Sequence, residues 1–357
     1  MKRFERDMKK QVKKVGLLVL FAMVVTMTGF AQDDAQFTFF PWVTSYYNAG
    51  GIGEQHNTLC FTADYNNKYL GWRDGSSSST TINNDSLFRS APQSFFFSIE
   101  SYLKKLHGSL GVTLIHDRIG IYSNTGVKLG YAYKLRLGGG HLGIGAQISL
   151  YNQAIKPDQL TPIQPGDPIL DQLSESTLDL DFNFGVLYKA DQWYVGAGWT
   201  QMAALFDKNQ VLRVSGEYGP TRSSHLYIHG GYTCVLPFNP NWELLPQAMV
   251  KTDFKTFQWE VLALARYNGV YWGGLGYRFQ DAVSLIFGAR PFHNSSNIYL
   301  KGLDLGVSYS FTSNTLAFKR NRSFGDVEVV VRYCFDIYKP EVFSGYGNSR
   351  YIYKNRY

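Results

Sequence analysis

The sequence has no long apolar run once its first 31 residues are passed. Nowhere after Ala31 does an uninterrupted apolar stretch approach the roughly 18 residues at which a transmembrane helix becomes the reading. It also has no sustained i, i+3, i+4, i+7 recurrence of apolar residues, which excludes a helical bundle as well as a helical membrane span. Cysteine is scarce, with only Cys60, Cys234 and Cys334 in 357 residues. These three are far apart and match no metal-ligand spacing such as C-x-x-C, so no metal site is expected. An odd count leaves at least one unpaired. The reading for each is a small side chain on a strand, facing a barrel interior or its wall.

Excess charge is also missing from most of the chain. The whole sequence carries 35 Lys and Arg against 28 Asp and Glu. Seven of those cations and two of the acids fall in Met1 to Lys14, directly before an apolar stretch from Val15 to Met27. That is the layout of a secretory leader. Gly29 and Ala31 supply the small residues a signal peptidase needs before Gln32. Residues 1–31 are therefore expected to be a cleaved signal peptide, with the mature chain starting at Gln32. The apolar run is short of the roughly 20 residues of a membrane anchor. Without the leader, 28 basic and 26 acidic residues remain, a net charge of about +2 that gives no footprint for nucleic acid.

Catalytic signatures are absent too. The seven histidines are His56, His107, His116, His141, His225, His229 and His293. A Ser–His pairing such as Ser308 with His229 is conceivable because the two lie on different strands, but no G-x-S-x-G elbow accompanies it. Most of these histidines fall near strand ends or loops, where a solvated side chain is the default. Gly138-Gly139-Gly140 lacks the Lys and Ser/Thr of a phosphate loop and opens no helix, so it reads as a turn. No catalytic, cofactor-binding or metal-ligating residue is assigned, and no enzyme activity is expected.

What is present is alternation with a period of two, in segments of about 8 to 12 residues separated by Gly, Asn, Asp and Pro clusters. Successive side chains on a strand point to opposite faces. From 178 to 188 one face is Leu178, Leu180, Phe182, Phe184, Val186 and Tyr188, and the other begins Asp179, Asp181, Asn183 and Gly185. From 304 to 311, Leu305, Val307, Tyr309 and Phe311 oppose Asp304, Gly306, Ser308 and Ser310. From 326 to 335, Val327, Val329, Val331, Tyr333 and Phe335 oppose Asp326, Glu328, Val330, Arg332 and Cys334. Comparable segments start near Thr58, Gln93, His107, Gly126, His141, Ser176, Gln192, His225, Trp242, Thr256, Val270, Ala282, Gly302 and Asp326, fourteen in all.

An even number of amphipathic strands suits a closed antiparallel barrel, which leaves no unpaired edge in lipid. A soluble β-sandwich would alternate similarly, but two features favour lipid. Aromatics make up 16% of the chain, with many near strand ends, such as Tyr131, Tyr133, Trp193, Trp199, Tyr271 and Trp272, as interfacial girdles require. The faces opposite the apolar ones are polar or Gly, which suits a lumen. Asp64, Asp179, Asp181, Asp304, Asp326, Glu328 and Arg278 are expected to face it, lining a pore or pairing to fill it.

The fold expected is thus an all-β transmembrane antiparallel barrel of about 14 strands over 58–336, preceded by an N-terminal segment at 32–57 and followed by a Tyr-rich tail at 337–357. Short connections such as Gly138 to Gly140, Tyr267 to Gly269 and Phe279 to Asp281 read as hairpin turns. Those at 66–92, 154–175, 201–224 and 312–325 are long and are expected on the outer side. The first holds the low-complexity tip GSSSSTTINN at 75–84.

Residues 107–153 are similar to the PorP/SprF family, the outer-membrane protein of the type IX secretion system of Bacteroidota. The resemblance is carried by Asp117-Arg118-Ile119-Gly120, by Tyr131-Ala132-Tyr133 and by Leu142 to Gly145. It continues through Trp242-Glu243-Leu244-Leu245-Pro246, Trp272 to Arg278, Asp281-Ala282-Val283 and Gly288. Two family patterns are altered. Tyr46-Tyr47-Asn48-Ala49-Gly50 lacks the Pro of Tyr-Asn-Pro-Ala, and Arg322-Ser323-Phe324-Gly325-Asp326 replaces Gly-Ser-His-Glu. The resemblance implies an outer-membrane location beside the translocon and a role in protein secretion and gliding motility. The partners it implies are periplasmic ring lipoproteins or a peptidoglycan-binding adaptor, and in some members a secreted adhesin with a C-terminal sorting domain. Outer-membrane lipid is the partner implied by the barrel itself. The rival function is a passive porin-like channel for small solutes.

Overall fold

The computed structural model describes residues 34–54, 58–70, 91–120, 122–155, 176–206, 212–215, 223–237, 239–295, 297, 300–313 and 323–337. The leader at 1–31, the loop tip at 75–84 and all but the first residue of the tail lie outside them.

Among the described residues, sixteen strands form one antiparallel sheet. In chain order they are β1 (Thr58–Asn67), β2 (Gln93–Leu103), β3 (Gly108–Ile119), β4 (Tyr122–Leu137), β5 (Gly140–Ile155), β6 (Ser176–Lys189), β7 (Trp193–Thr200) and β8 (Leu212–Ser215). There follow β9 (His225–Tyr232), β10 (Cys234–Val235), β11 (Trp242–Thr252), β12 (Phe257–Tyr267), β13 (Tyr271–Arg278), β14 (Ala282–Ala289), β15 (Leu303–Thr312) and β16 (Asp326–Asp336). β8 only covers part of β6, and β10 prolongs the line of β9 along β11. The wall proper is therefore a ring of fourteen. It closes where β16 pairs with β1 over ten residues, from Thr58 opposite Asp336 to Asn67 opposite Val327. Closure satisfies the backbone groups that an open edge would leave bare in hydrocarbon.

The alternation falls as the sequence indicates. On β6, Asp179, Asp181 and Asn183 are buried in the lumen while Phe182 and Phe184 are exposed on the outside. On β15, Asp304, Ser308 and Ser310 are buried and Leu305, Val307 and Phe311 are exposed. An apolar exterior around a polar interior inverts the arrangement of a water-soluble domain and is what lipid on the outside selects. Among the described residues no helix is long and apolar enough to cross a membrane; the strands do the crossing. Leu129, Ile148, Leu275, Phe287 and Val307 belong to the lipid-facing band.

Connections alternate between two ends of the barrel. Those at the end where β1 starts span 104–107, 138–139, 190–192, 236–241, 268–270 and 290–302. The four long connections expected from sequence all fall at the opposite end, with three short ones at 120–121, 253–256 and 279–281.

The main core lies inside the ring. Residues 34–54 do not join the sheet. They fold into the lumen as an irregular chain with one helical turn at Thr44–Tyr47 and one 3-10 turn at Ala49–Gly51. Phe37, Phe39, Val43 and Ile52 are wholly enclosed. The N-terminal segment expected ahead of the barrel is thus its plug.

Candidate functional site

An irregular segment in a lumen exposes backbone N–H and C=O groups that no sheet satisfies, and each must find a partner. The polar lumen face supplies them. Glu328 accepts from the N–H groups of Thr38 (2.8 Å) and Phe39 (2.9 Å). Asn66 Nδ2 donates to the Gln36 carbonyl at 2.8 Å. Gln147 Nε2 reaches Ser45 O at 3.1 Å, and Lys128 Nζ reaches Tyr46 O at 3.0 Å. Nearer the start of β1, Lys134 Nζ donates to Gly50 O (2.9 Å), Glu100 accepts from Gly53 N (2.7 Å) and Ser109 Oγ donates to Gly53 O (3.1 Å).

The plug's own side chains complete the contact. Asn48 holds two elements together, accepting from Gly50 N (2.9 Å) and donating to Val186 O on the wall (2.9 Å). Its Nδ2 also lies 3.0 Å from His229 Nε2. Asp34 accepts from the hydroxyls of Tyr227 (2.7 Å) and Tyr46. Trp42 stacks on Trp272 with centroids 4.7 Å apart, and Phe39 meets the same Trp272 edge-on at 6.0 Å. Lys128 places its ammonium 4.1 Å from the centroid of the Tyr46 ring.

Four glycines let the plug's backbone lie directly on the wall. A Cβ at Gly143 or Gly145 would collide with the carbonyls of Gly50 and Ala49; one at Gly185 or Gly198 would collide with Asn48 Oδ1 and Tyr47 O. Gly143 and Gly145 are among the residues that carry the family resemblance, and they face the altered Tyr-Asn-Ala-Gly stretch. Two regions that looked separate in sequence are the two sides of one contact.

The predicted lumen residues all point inward: Asp64, Asp179, Asp181, Asp304, Asp326, Glu328 and Arg278 are each less than 10% exposed. The pore-lining alternative for them does not hold, because the plug occupies the space. Glu328 holds the plug backbone. Asp304 accepts from Trp272 Nε1 (2.8 Å) and Arg290 Nε (3.0 Å), with Trp42 Nε1 at 3.4 Å. Arg278 pairs with Glu260 at 3.1 Å and Asp281 at 3.2 Å. Between plug and wall, a small cavity lined in part by Gln36, Tyr47, Tyr227, Lys251 and Trp259 has about 10 Å³ for water, room for roughly one molecule.

Two readings of the histidines need correction. His225 and His229 are not solvated but buried, His225 facing Gln201 Oε1 at 3.1 Å and His229 facing Asn48. The structure does not bring His229 and Ser308 together: β11 to β14 stand between β9 and β15 around the wall. Among the described residues, no three His, Cys, Asp or Glu side chains gather as a metal site.

Cys60 and Cys334 form a disulfide, leaving Cys234 free. The bond bridges β1 and β16 at a directly opposed pair whose Cα atoms are 4.1 Å apart. Cys334 N–H bonds to Gly302 O on the other side, so this is a non-hydrogen-bonded pair, the closer of the two antiparallel spacings. The seam where the first and last strands of the wall meet is thereby covalently closed. Sequence spacing gave no hint of it, because the two cysteines meet only once the first and last strands close the ring.

A family described as "Type IX secretion system membrane protein PorP/SprF" matches residues 29–333 of the chain. No curated protein matches it. Similar solved structures include the CymD monoaromatic hydrocarbon channel, at 10% identity and TM-score 0.47 over 87% of this chain and 95% of that one. The P. putida toluene transporter TodX gives 10% identity and 0.45 over 82% and 93%. The Acinetobacter baumannii outer membrane protein Omp33 gives 8% and 0.41 over 79% and 100%. Likeness this loose transfers no ligand.

Proposed function

The chain belongs to the PorP/SprF family of type IX secretion system membrane proteins, and from that premise we propose that this outer-membrane barrel is a non-enzymatic docking scaffold rather than a conduit. The partners proposed are periplasmic ring lipoproteins or a peptidoglycan-binding adaptor on the short-turn side, with support for export and surface display of secreted adhesins on the long-loop side. The supporting observation is the filled lumen. Seven large side chains of the plug, Phe37, Phe39, Phe40, Val43, Tyr46, Tyr47 and Ile52, are at most 3% exposed. At about 1.5–3 kcal/mol each, their burial contributes a gross gain of about 10–20 kcal/mol towards offsetting the chain entropy lost when the segment is ordered. A rigid frame with projecting turns suits docking; a passive channel requires the plug to leave.

The test is an affinity pull-down of the tagged protein from mildly solubilised outer membranes of its host, with mass spectrometry of what co-purifies. Recovery of type IX ring lipoproteins or a secreted adhesin is expected. Reproducible recovery of the barrel alone, together with steady ion conductance in a planar bilayer, would replace docking by the channel.

A further inference from the structure

Where the plug leaves the lumen, at the short-turn end, the wall carries like charges in a row. On β4, β5 and β6 the lumen-facing positions are marked by Lys134, Gly143 and Leu187, which meet Gly50 and Gly51 of the plug. Two residues nearer the mouth on the same faces stand Arg136, His141 and Lys189. The register sets them directly opposite one another, Arg136 against His141 and His141 against Lys189. Like charges so placed are destabilising unless something anionic joins them. Lys105 and His107, exposed in the 104–107 turn, extend the row beside Lys134, whose N–H bonds the His107 carbonyl at 2.9 Å. Among the described residues the acids of this arc are Glu54, Glu100 and Asp191. Glu54 takes Lys189 at 2.5 Å, Glu100 accepts from Gly53 N, and Asp191 lies in the 190–192 turn beyond Lys189. Arg136 and Lys105 are exposed, and among the described residues neither has an acid to pair with.

We propose that the row from Lys105 to Lys189 seats an acidic segment of a partner protein at the short-turn mouth. The inference rests on the docking reading and gives that partner a chemistry, carboxylates spaced along a chain. Glu54 already makes the bond in question, a carboxylate from a crossing chain on a cation of the wall. A single small anion meets only one or two of these groups, because three strand spacings, about 14 Å, separate the ends of the row. An extended segment of about five residues covers that distance. Lipid lies on the other side of the wall: Leu135, Leu137 and Ile144 hold the outward positions of β4 and β5, while the row points into the mouth. The chain's own tail has the wrong sign, since residues 338–357 carry four Lys or Arg and one Glu.

The test uses the purified full chain in detergent micelles and a fluorescein-labelled oligoglutamate of about eight residues, enough to cross the row, with oligoglutamine of equal length as the uncharged control. Fluorescence anisotropy is expected to show oligoglutamate bound, oligoglutamine unbound, and affinity falling as salt is raised. Arg136→Glu and Lys105→Glu each reverse an exposed charge and are expected to weaken binding about tenfold or more, with heat-modifiable migration verifying that each variant is folded. Lys255→Glu, the same change in the 253–256 turn at the opposite end, is expected to leave binding unaltered. Failure of the natural protein to bind oligoglutamate overturns the proposal, as does unaltered binding by Arg136→Glu. An equal loss in Lys255→Glu also overturns it, since the charge of the whole molecule and not the row would then be acting. Binding of short-chain phosphatidylglycerol without binding of oligoglutamate makes a lipid headgroup the occupant and overturns it too. The pull-down stays separate: docking can stand with the row silent, and the row can bind carboxylates with no partner recovered.

Discussion

The two halves of the plug are held in opposite ways. In the half from Thr44 to Gly53, the backbone of Tyr47 to Gly50 lies on glycines of β5, β6 and β7, a contact that exists because side chains are missing there, while Gln147, Lys128 and Lys134 bond the neighbouring carbonyls. From Asp34 to Val43 the chain is held by side chains that are present: Glu328 on two N–H groups, Trp272 on two aromatic rings, and Lys68 and Gln258 on Gln36. The first half is therefore vulnerable to atoms added at the glycines, and the second to removal of the side chains that hold it. A lumen can thus be filled by clearing space for backbone or by building a polar and aromatic socket, and this barrel does one on each side.

The largest effect is expected from addition. Gly145→Val with Gly185→Val puts branched side chains where the Ala49 carbonyl and the Asn48 amide oxygen lie, with the backbone of Ala49 in the way at both positions. The cost exceeds the roughly 1–3 kcal/mol of ordinary overpacking. The heat-resistant compact band on SDS gels should vanish or, if the wall folds around an empty lumen, steady conductance should appear in a bilayer. A silent, fully stable double variant would show that the glycines are not the seat. Next comes subtraction in the other half. Trp272→Ala removes the platform under Phe39 and Trp42 and should lower stability by about 3–5 kcal/mol, read by chemical unfolding in micelles; a loss under 1 kcal/mol would mean the aromatic socket is incidental. Glu328→Gln retains shape but weakens acceptance from Thr38 and Phe39, with a smaller loss of about 1–3 kcal/mol expected in the same assay.

The smallest effect is a pH dependence at the plug's exit. Burial raises the pKa of Glu54, but Lys189, 2.5 Å away, outweighs it and holds the carboxyl below its ordinary value. A depressed folded-state pKa stabilises above the unfolded value, and the contribution is lost as pH falls through the folded one. Glu54→Gln should therefore lower thermal stability at neutral pH and converge with the natural chain in acid. A constant offset at all pH values would assign the effect to packing.

The wall was legible in the sequence because its physics is periodic. Seven of the fourteen predicted starts, including Thr58, His225 and Asp326, coincide with those observed, and all but one of the others are displaced by one residue. The exception, β4, begins at Tyr122 instead of Gly126 because Tyr122-Ser123-Asn124-Thr125 looks like a turn, while the hairpin with β3 keeps it in register up to Ile119 opposite Tyr122. β8 and β10, with four and two residues, are too short to show a period. The plug escaped because FTFFPWVTSYY has no alternation, and its density of apolar residues ahead of the first strand was the unused signal. The inward acids were read correctly as lumenal, yet their purpose was hidden, since hydrogen bonds to a distant backbone leave no trace in local spacing.

The bond between Cys60 and Cys334 also bears on damage. It spans 274 positions and makes the wall a covalent circle. Loops that face the outside are where proteases cut first, and a single cut in any of them opens the circle without dividing it. The nicked molecule would still run as one species until reduced. A barrel built this way can lose the continuity of a loop and keep every stave in place.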